Sequence, residues 1–327
     1  MNGLREIIDR FKGKRIVVVG DLVADVFVYG EISRISREAP VLILNHRETQ
    51  VVPGGGANAI HNLWALGANP FPVGVVGGDA EGQQLLKYFS NLGIDISGIA
   101  VAKSLRTPSK MRILAGAVHS QRQQIVRLDS GCPIEDDKIR TTVKRKLKLA
   151  VRDADALLIS DYGYGLITPE IVFTIRHKSL TATLDSRFSL MNFSGMTAAT
   201  PNEPEVEAAL GISIGNDAKK LEWAGRTLLR KLKHDAVLIT RGKDGMALFQ
   251  RAKKTAHIPI QGSDEVADVT GAGDTVIATF TLALAAGASY YQAAQLANYA
   301  GGIVVMKYGT RPVTHHELVE AVNGEAR

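Results

Sequence analysis

The 327-residue chain has a single cysteine, no long apolar run and no segment that resembles a signal peptide. Its one cysteine, Cys132, excludes an intramolecular disulfide and a cysteine metal cluster. The longest apolar stretch, Val276 to Ala288, is too short and too rich in small residues to span a bilayer. Residues Met1 to Lys14 have no signal-type apolar core. We therefore expect a cytoplasmic protein without a membrane partner.

The chain also lacks a large excess of either positive or negative charge. The 39 basic and 33 acidic residues give a formal net charge of +6, which suits a phosphorylated ligand but is too weak to indicate nucleic acid binding. Two phosphate-binding signatures are missing as well. No glycine loop is followed by Gly-Lys-Ser/Thr, and no dinucleotide fingerprint follows the first strand. We therefore expect neither a Walker-type site nor a bound dinucleotide.

Short apolar runs that alternate with amphipathic segments are the main feature the sequence does contain. Arg15 to Gly20 is a continuous apolar run typical of a buried parallel strand, and the alternation of strands and helices becomes regular from Glu135 onward. At 45% hydrophobic content a chain of this length can bury a large core. The pattern predicts one α/β domain over residues 1–327, with a mainly parallel central sheet and helices on both faces.

Two segments, at about 26–52 and 107–130, interrupt this alternation. Both have a β-like pattern without an intervening helix, and Val26 to Gly30 looks like an exposed edge strand. We interpret the first as a small antiparallel insertion that pairs with the second to form a β lid over the strand ends. Exposed apolar edges in such a lid need cover, so we expect a homodimer formed through it.

The clearest candidate site is Asp268-Val-Thr-Gly-Ala-Gly-Asp274, which runs directly into an apolar helix. The backbone amides of Gly271, Ala272 and Gly273 converge there with the positive end of the helix dipole and favour an anion. Asp274, beside them, can act as a general base. Phosphoryl transfer needs both parts. An ordinary glycine turn with a capping aspartate is the alternative.

Candidate sugar-binding groups follow the first strand. Asp21 and Asp25 come just after it, at the sheet edge where open α/β sheets bind ligands. Pro53-Gly-Gly-Gly-Ala-Asn58 opens a helix, and its glycines let the backbone approach a ligand while Asn58 offers a donor and an acceptor. Turn and capping aspartates and a flexible hinge are the respective alternatives.

Candidate nucleotide-binding groups lie in the second half of the chain. Asn202 and Glu205 begin a helix, where a carboxylate can hold the water shell of a Mg²⁺ bound to nucleotide phosphates. Thr240-Arg-Gly242-Lys-Asp-Gly245 is a tight turn able to approach a nucleotide closely. A capping box and a plain hairpin turn are the alternatives.

The order and spacing of these motifs resemble the ribokinase-like (pfkB) family of carbohydrate kinases along nearly the whole chain. The motifs that carry the resemblance are Gly54-Gly-Gly-Ala-Asn58, Asn202-x-x-Glu205, Thr240-x-Gly242-x-x-Gly245 and Asp268-Val-Thr-Gly-Ala-Gly-Asp274. The resemblance implies a ribokinase-like fold, ATP as phosphoryl donor, Mg²⁺, and a monovalent cation such as K⁺ near Asp268 and Thr270. It implies that Asp274 is the base and that the anion hole consists of Gly271, Ala272 and Gly273. It places at the nucleotide Thr240, Gly242, Gly245 and Asn298, and at Mg²⁺ and the phosphates Asn202 and Glu205. It assigns to the sugar Asp21, Asp25, Gly54, Gly55 and Asn58.

Several stretches resemble one branch of the family, which phosphorylates heptose 7-phosphate at C1 in ADP-heptose synthesis. They are Gly20 to Asp25 followed by Tyr29-Gly30, Ser33 to Val41, Ser160-Asp-Tyr-Gly, and Val304-Val-x-Lys307-x-Gly-Thr310-x-x-Val-Thr314. In many bacteria that kinase is fused to a nucleotidyltransferase, and because this chain ends at Arg327 we expect the second activity to be absent. A 7-phosphate needs a second anion site, which we expect among the lid cations Arg34, Arg37, Lys110, Arg112 and Arg127. That these charges only keep strand edges soluble is the alternative.

Two positions depart from the family pattern. Tyr164 stands where a lysine is expected, and Ser-Arg187 follows Asp185 where Pro-Lys is expected, so we assign part of the missing positive charge to Arg187. A kinase of ribose, fructose or adenosine therefore remains an alternative. From another class, a non-catalytic sugar or nucleotide sensor on the same fold also remains.

Overall fold

The computed structural model of the chain describes residues 2–116, 122–173, 180–261 and 268–324. The helices are α1 (Asn2–Asp9), α2 (Gly56–Ala65), α3 (Ala80–Asn91), α4 (Asp137–Ala150), α5 (Pro169–Phe173), α6 (Glu203–Leu210), α7 (Ala218–Leu232), α8 (Ala272–Ala285), α9 (Tyr290–Val304) and α10 (His315–Gly324). The strands are β1 (Arg15–Gly20), β2 (Leu22–Ile35), β3 (Leu42–Gly55), β4 (Asn69–Gly77), β5 (Ile99–Ala102), β6 (Ser109–Gly116), β7 (Gln123–Ser130), β8 (Ala156–Asp161), β9 (Thr181–Ser186), β10 (Ala198–Ala199), β11 (Ala236–Thr240), β12 (Met246–Gln250) and β13 (Ala256–Ile258).

A nine-stranded sheet in the order β13-β12-β11-β10-β9-β8-β1-β4-β5 forms the centre of the molecule. Its pairings are parallel from β5 to β11, and the hairpins that add β12 and β13 are antiparallel. Successive apolar residues on β1 face opposite sides of this sheet. Ile16 and Val18 belong to the core layer of α2, α8 and α9, whereas Val17 and Val19 belong to the layer of α4 and α7. The predicted mainly parallel sheet, with helices on both faces, is confirmed.

The lid is a four-stranded sheet in the order β3-β2-β6-β7. Strands β2 and β3 of the first segment pair antiparallel, whereas β2 and β6 of the second segment pair in parallel. The parallel pairing has a topological reason: the chain returns to the central sheet through β4, α3 and β5 before it enters the lid again beside β2. The expectation of an exposed edge at Val26 to Gly30 is wrong, since β2 lies between β3 and β6 and buries Val26 and Phe27.

The carboxyl ends of β1, β8 and β9 lie side by side in this arrangement. Helix α2 packs on α8, so the amino-terminal ends of both helices approach the same edge of the sheet. The lid strands begin at that edge, directly after β1. Among the described residues, none of the helices combines the length and the apolar character needed to cross a bilayer.

Candidate active site

Asp274 lies in the first turn of α8 and is almost fully buried. One carboxylate oxygen, Oδ1, accepts a hydrogen bond from the Tyr162 hydroxyl at 2.7 Å, and the other, Oδ2, accepts one from Asn58 Nδ2 at 3.0 Å. Gly271 caps the helix with φ at +77°, and a Cβ there would lie 2.5 Å from Asn58 Nδ2. Only glycine therefore allows this turn and this approach together.

The environment of Asp274 suits a base that works near neutral pH. Burial raises the pKa of the carboxyl from 3.8 to about 6, against the opposing effects of the hydrogen bonds from Tyr162 and Asn58 and of the Lys110 charge. The group is therefore mostly ionised at pH 7, and its affinity for a proton is higher than that of an exposed aspartate.

Asn58 was predicted to bind the sugar, and in the structure its amide holds the Asp274 carboxylate. The Asn58 side chain is itself fixed by Asn62, whose Nδ2 donates to Asn58 Oδ1 at 3.1 Å. Asn62 Oδ1 in turn accepts bonds from Thr275 Oγ1 and from the Val313 amide, both at 3.1 Å. This network ties α2 to α8 and orients the carboxylate. Sequence spacing carries no information on such side-chain directions.

Asp25, Gly54 and Arg112 are brought together where the lid begins. Arg112 Nη1 donates to Asp25 Oδ1 at 2.7 Å, and both side chains are buried. A Cβ at Gly54 would lie only 2.6 Å from Asp25 Oδ2, so glycine makes room for the carboxylate. Burial raises the pKa of Asp25, while the charges of Arg112 and Lys110 oppose the rise. Gly55 follows at the end of β3.

The lid cations divide into near and distant groups. Lys110 pairs with Asp25 in the strand register, and its Nζ lies 4.6 Å from the centre of the Tyr162 ring. Arg127 is opposite Arg112 but is exposed and bonds Asp129. Arg34 lies nine residues beyond Asp25 on β2, roughly 30 Å along the strand, so the structure does not bring it into this group. Arg37 is exposed in the turn between β2 and β3.

Asp21 was also predicted as a sugar ligand, and in the structure it holds the loop after β8. Its Oδ2 accepts backbone hydrogen bonds from Tyr162 at 2.8 Å and from Tyr164 at 3.2 Å. Burial is the main reason that the pKa of Asp21 rises to about 7, with the charge of Asp161 adding to the rise. The carboxyl thus contributes to the site through the backbone that it positions.

A cavity of about 530 Å³ lies on the other side of the α8 amino terminus. Its lining includes seven residues predicted from sequence: Asn202, Thr240, Gly242, Gly245, Ala272, Gly273 and Asn298. Gly242 and its neighbours form the turn of the β11–β12 hairpin. A cavity of this volume suits a nucleotide, and its inner end meets the amides that precede Asp274.

Asn202 and Glu205 form a complete capping box on α6, as the structural alternative anticipated. Glu205 N donates to Asn202 Oδ1 at 2.8 Å, and Asn202 N donates to Glu205 Oε2 at 2.9 Å. Burial raises the pKa of Glu205, while burial and the Glu205 charge raise that of Asp185 at the end of β9. In the part of the chain that the structure describes, no cluster of three or more metal-ligating side chains occurs. Mg²⁺ in kinase sites usually takes one or two carboxylates plus substrate phosphates, a requirement that Glu205 and Asp185 fit.

The carboxylate of Asp268 connects two loops next to α8. Its Oδ1 accepts from Thr270 N at 2.9 Å, and its Oδ2 accepts from Gly309 N at 3.0 Å. The monovalent cation expected near Asp268 and Thr270 stays a prediction.

Tyr162 and Asp185 are the groups at the site to which the motifs assigned no role. Both lie at carboxyl ends of parallel strands, and that position was the available signal. Tyr164, at the expected lysine position, packs against Gly131 and donates its backbone N–H to Asp21. Arg187 is exposed with its guanidinium 5.4 Å from the Phe188 ring centre, and its charge lowers the pKa of Asp185 and Glu205.

Comparison with known proteins gives a consistent set of similarities. The pfkB family of carbohydrate kinases matches residues 14–316. The bifunctional protein HldE of Geobacter sulfurreducens is 40% identical over 310 residues, which are 93% of this chain and 62% of that protein. This chain thus spans somewhat under two thirds of the length of the curated relatives it matches.

Two solved structures have the same fold. Ribokinase from Arabidopsis thaliana, complexed with ribose and ATP, aligns with a TM-score of 0.72 at 20% identity, covering 95% of this chain and 99% of that one. Phosphofructokinase-2 from Escherichia coli, in complex with potassium, aligns with a TM-score of 0.77 at 16% identity, covering 96% and 100%.

Proposed function

This chain belongs to the pfkB family of carbohydrate kinases, and we propose that it phosphorylates heptose 7-phosphate at C1 with ATP as donor. As a member of that family it is a phosphotransferase acting on a sugar hydroxyl. The observation that carries the proposed reaction is the position of Asp274. Its buried carboxylate lies between a cavity of about 530 Å³ on one side and the lid residues Asp25, Lys110 and Arg112 on the other.

In the proposed reaction Asp274 is the general base. The acceptor oxygen attacks the γ-phosphorus, its proton passes to Asp274, and the bond from phosphorus to the bridging oxygen of ADP breaks. We assign the anion hole to the amides of Gly271, Ala272 and Gly273, of which the Ala272 amide donates to Val269 O at 3.2 Å in the structure; these amides would stabilise the charge of the transferred group. A carboxyl with a pKa of about 6 accepts this proton more readily than one with the ordinary pKa of 3.8.

We assign the cavity to the nucleotide. Thr240, Gly242 and Gly245 line one wall, and Asn298, whose amide donates to Pro259 O at 2.7 Å, lies at another. Asn202 and Glu205 are proposed to face the phosphates, with Glu205 as the metal carboxylate. When bound, Mg²⁺ would neutralise phosphate charge there. The proposed K⁺ near Asp268 is tested by the dependence of turnover on K⁺ concentration.

We assign the start of the lid to the acceptor. The remaining acceptor positions of the buried Asp25 carboxylate suit sugar hydroxyls, and Gly54 lies directly against it. We also assign Gly55 and Asn58 to the acceptor side. We assign Lys110 and Arg112 to a phosphate on the acceptor, because Arg112 bonds Asp25 directly and Lys110 pairs with Asp25 in the strand register. Arg34 would reach an acceptor only in a second copy of the chain.

The phosphate assignment is tested by Lys110→Ala. We expect the KM for heptose 7-phosphate to rise while the KM for ATP stays unchanged, because the lost cation lies on the acceptor side. Lys148→Ala, which removes an exposed cation on α4, is the matched control. Equal KM values in the two variants would remove Lys110 from this role.

The substrate itself is tested by measuring ADP release from ATP and Mg²⁺ with heptose 7-phosphate, and with a panel of free ribose, fructose, other hexoses and adenosine. Turnover only with the heptose phosphate supports the proposal. Preference for a free sugar or nucleoside keeps the kinase and discards the branch, an outcome for which Tyr164 is the motivating residue. Absence of turnover with every acceptor favours a non-catalytic sensor. We propose a cytoplasmic location because ATP is available there.

A further inference from the structure

Tyr162 is the residue at the site whose role neither the motifs nor the proposed reaction explains. It follows β8, and its hydroxyl donates a hydrogen bond of 2.7 Å to Asp274 Oδ1. A donor to an ionised acceptor at this distance makes one of the stronger hydrogen bonds in proteins. The contact therefore acts directly on the proposed base.

The structure fixes Tyr162 at both its backbone and its ring. The backbone N–H donates to Asp21 Oδ2 at 2.8 Å, and the same oxygen accepts from Tyr164 two residues later. The Lys110 ammonium lies over the ring, 4.6 Å from its centre, at a distance suited to cation–π attraction. The hydroxyl is thus held in place, with little conformational freedom to lose when substrate binds.

The two oxygens of Asp274 each have their own donor. Tyr162 bonds Oδ1, and Asn58 bonds Oδ2 from the opposite element, α2. Two donors on separate oxygens fix both the position and the plane of a carboxylate. Each carboxylate oxygen has about two acceptor positions, so the acceptor hydroxyl can still bind.

We propose that Tyr162 is a positioning residue for the general base, holding Asp274 in the orientation that receives the proton and stabilising its ionised form. This inference rests on the proposed role of Asp274. Asp21 contributes to the same positioning, because its carboxylate accepts a hydrogen bond from the backbone N–H of Tyr162.

The charges around Asp274 give the direction of the expected effect. Lys110 on β6 stabilises its negative charge, while Asp25 on β2 and Asp185 on β9 repel it. Burial raises the pKa of Asp274 and the Tyr162 hydrogen bond lowers it, and the net result of all the effects is a pKa of about 6. Removing the hydroxyl therefore raises that pKa. The Tyr162 hydroxyl stays protonated, since burial and the Asp274 charge raise its own pKa.

The first test is Tyr162→Phe, assayed for kcat and kcat/KM across pH 5 to 9. We expect the acidic limb of the profile to move to higher pH by about one unit. A hydrogen bond to a charged group contributes about 1.5 kcal/mol or more, and one pKa unit corresponds to about 1.4 kcal/mol. Above the limb we expect kcat to fall about 10-fold from the loss of orientation, with the KM for ATP unchanged. The control is Tyr88→Phe, whose hydroxyl contacts His61 Nε2 at 3.2 Å away from the base, and whose profile should match that of the unaltered enzyme.

A second variant covers the case in which Tyr162→Phe fails to fold. Incorporating 3-fluorotyrosine at position 162 keeps the shape of the ring and makes the hydroxyl a stronger donor. The acidic limb should then move to lower pH, opposite to the phenylalanine variant, a response that a purely structural side chain would not give. An unmoved limb in the fluorinated enzyme overturns the inference.

Asp274→Asn separates this inference from the proposed function. If that variant retains full turnover, Asp274 is not the base and the proposed reaction fails. If it is inactive while the acidic limb ignores both changes at position 162, the base stands and only the role of Tyr162 is wrong.

Discussion

At the scale of single residues, the proposed reaction depends on the Asp274 carboxylate, which is buried and whose charge is only partly stabilised by its hydrogen bonds. Replacing Asp274 by Asn keeps the shape and removes the proton acceptor, so we expect kcat to fall by about 10²–10⁴-fold. Binding of a non-hydrolysable ATP analogue should persist, because the cavity lies beside the residue and not behind it. The exposed cap Asp136, changed to Asn, is the control for loss of a carboxylate alone. Near-normal turnover in Asp274→Asn would contradict the assignment.

We expect Asp21 to make the free energy of unfolding depend on pH. Its folded-state pKa of about 7 exceeds the unfolded value of 3.8, so the folded protein binds this proton more tightly. The stability gained from the proton is complete below about pH 4 and is lost as pH rises towards 7, by about 4 kcal/mol at most.

Urea unfolding of the unaltered protein and of Asp21→Asn between pH 4 and 8 measures this effect. The asparagine carbonyl can still accept from the Tyr162 amide, so the variant should fold and should show a smaller decline in unfolding free energy across that range. Identical slopes in the two proteins would mean that Asp21 does not titrate in this window.

The residues that could be predicted from sequence are those whose role follows from local chain geometry. Asp274 and the glycines before it occupy a helix start, and the turn around Gly242 is a short hairpin, so spacing alone locates them. Asn58 and Asp21 were predicted to bind the sugar, and the hydrogen bonds they make in the structure were not foreseen. The partners in these bonds come from α8 and from the loop after β8, and packing between distant segments decides such contacts.

At the scale of secondary-structure elements, the start of the lid depends on close approach between β2 and β3. Gly54→Ala would place a Cβ 2.6 Å from Asp25 Oδ2, so the carboxylate or the strand must shift. We expect a loss of about 1–3 kcal/mol in stability and a raised KM for the sugar, with the KM for ATP little changed.

Equilibrium unfolding and steady-state kinetics measure the two effects of Gly54→Ala. Gly324→Ala is the control, because a Cβ at that position on α10 meets no atom within 4 Å. Wild-type KM values in Gly54→Ala would show that Asp25 is not constrained by this glycine.

Strand existence was easier to predict than strand partners. The β-like pattern located most of β6 and β7 but only short parts of β2 and β3, and the parallel pairing of β2 with β6 escaped prediction. Residues in an edge strand and in an inner strand can share one pattern, and only the neighbours distinguish them. The burial of Val26 and Phe27 records that difference.

At the scale of the whole molecule, the two core layers share a single sheet, and the lid continues from its edge. We infer from this continuity that the chain folds as one domain. The cavity that we assign to the nucleotide and the lid lie on either side of the α8 amino terminus, where Asp274 stands between them.

The lid should also form the contact between two copies of the chain. Ile35 and Val41 at its tip expose 65% and 55% of their surface, and exposed apolar residues beside strand edges favour pairing with another chain. Sedimentation should therefore show a dimer that Ile35→Lys with Val41→Lys converts to a monomer. Leu149→Lys on α4, at a residue 56% exposed, is the matched control. A monomeric unaltered protein would rule out the proposed pairing.

The division between lid and central sheet has a consequence for how such an enzyme changes over evolutionary time. The groups we assign to the acceptor, Asp25, Lys110 and Arg112, belong to lid strands. Asp274 instead lies in α8, where the residues from Thr275 to Ala283 are all buried. Substitutions in the lid can therefore alter the preferred acceptor without disturbing the chemistry. We expect acceptor preference to diverge quickly within a lineage while the helix that carries the base stays nearly constant.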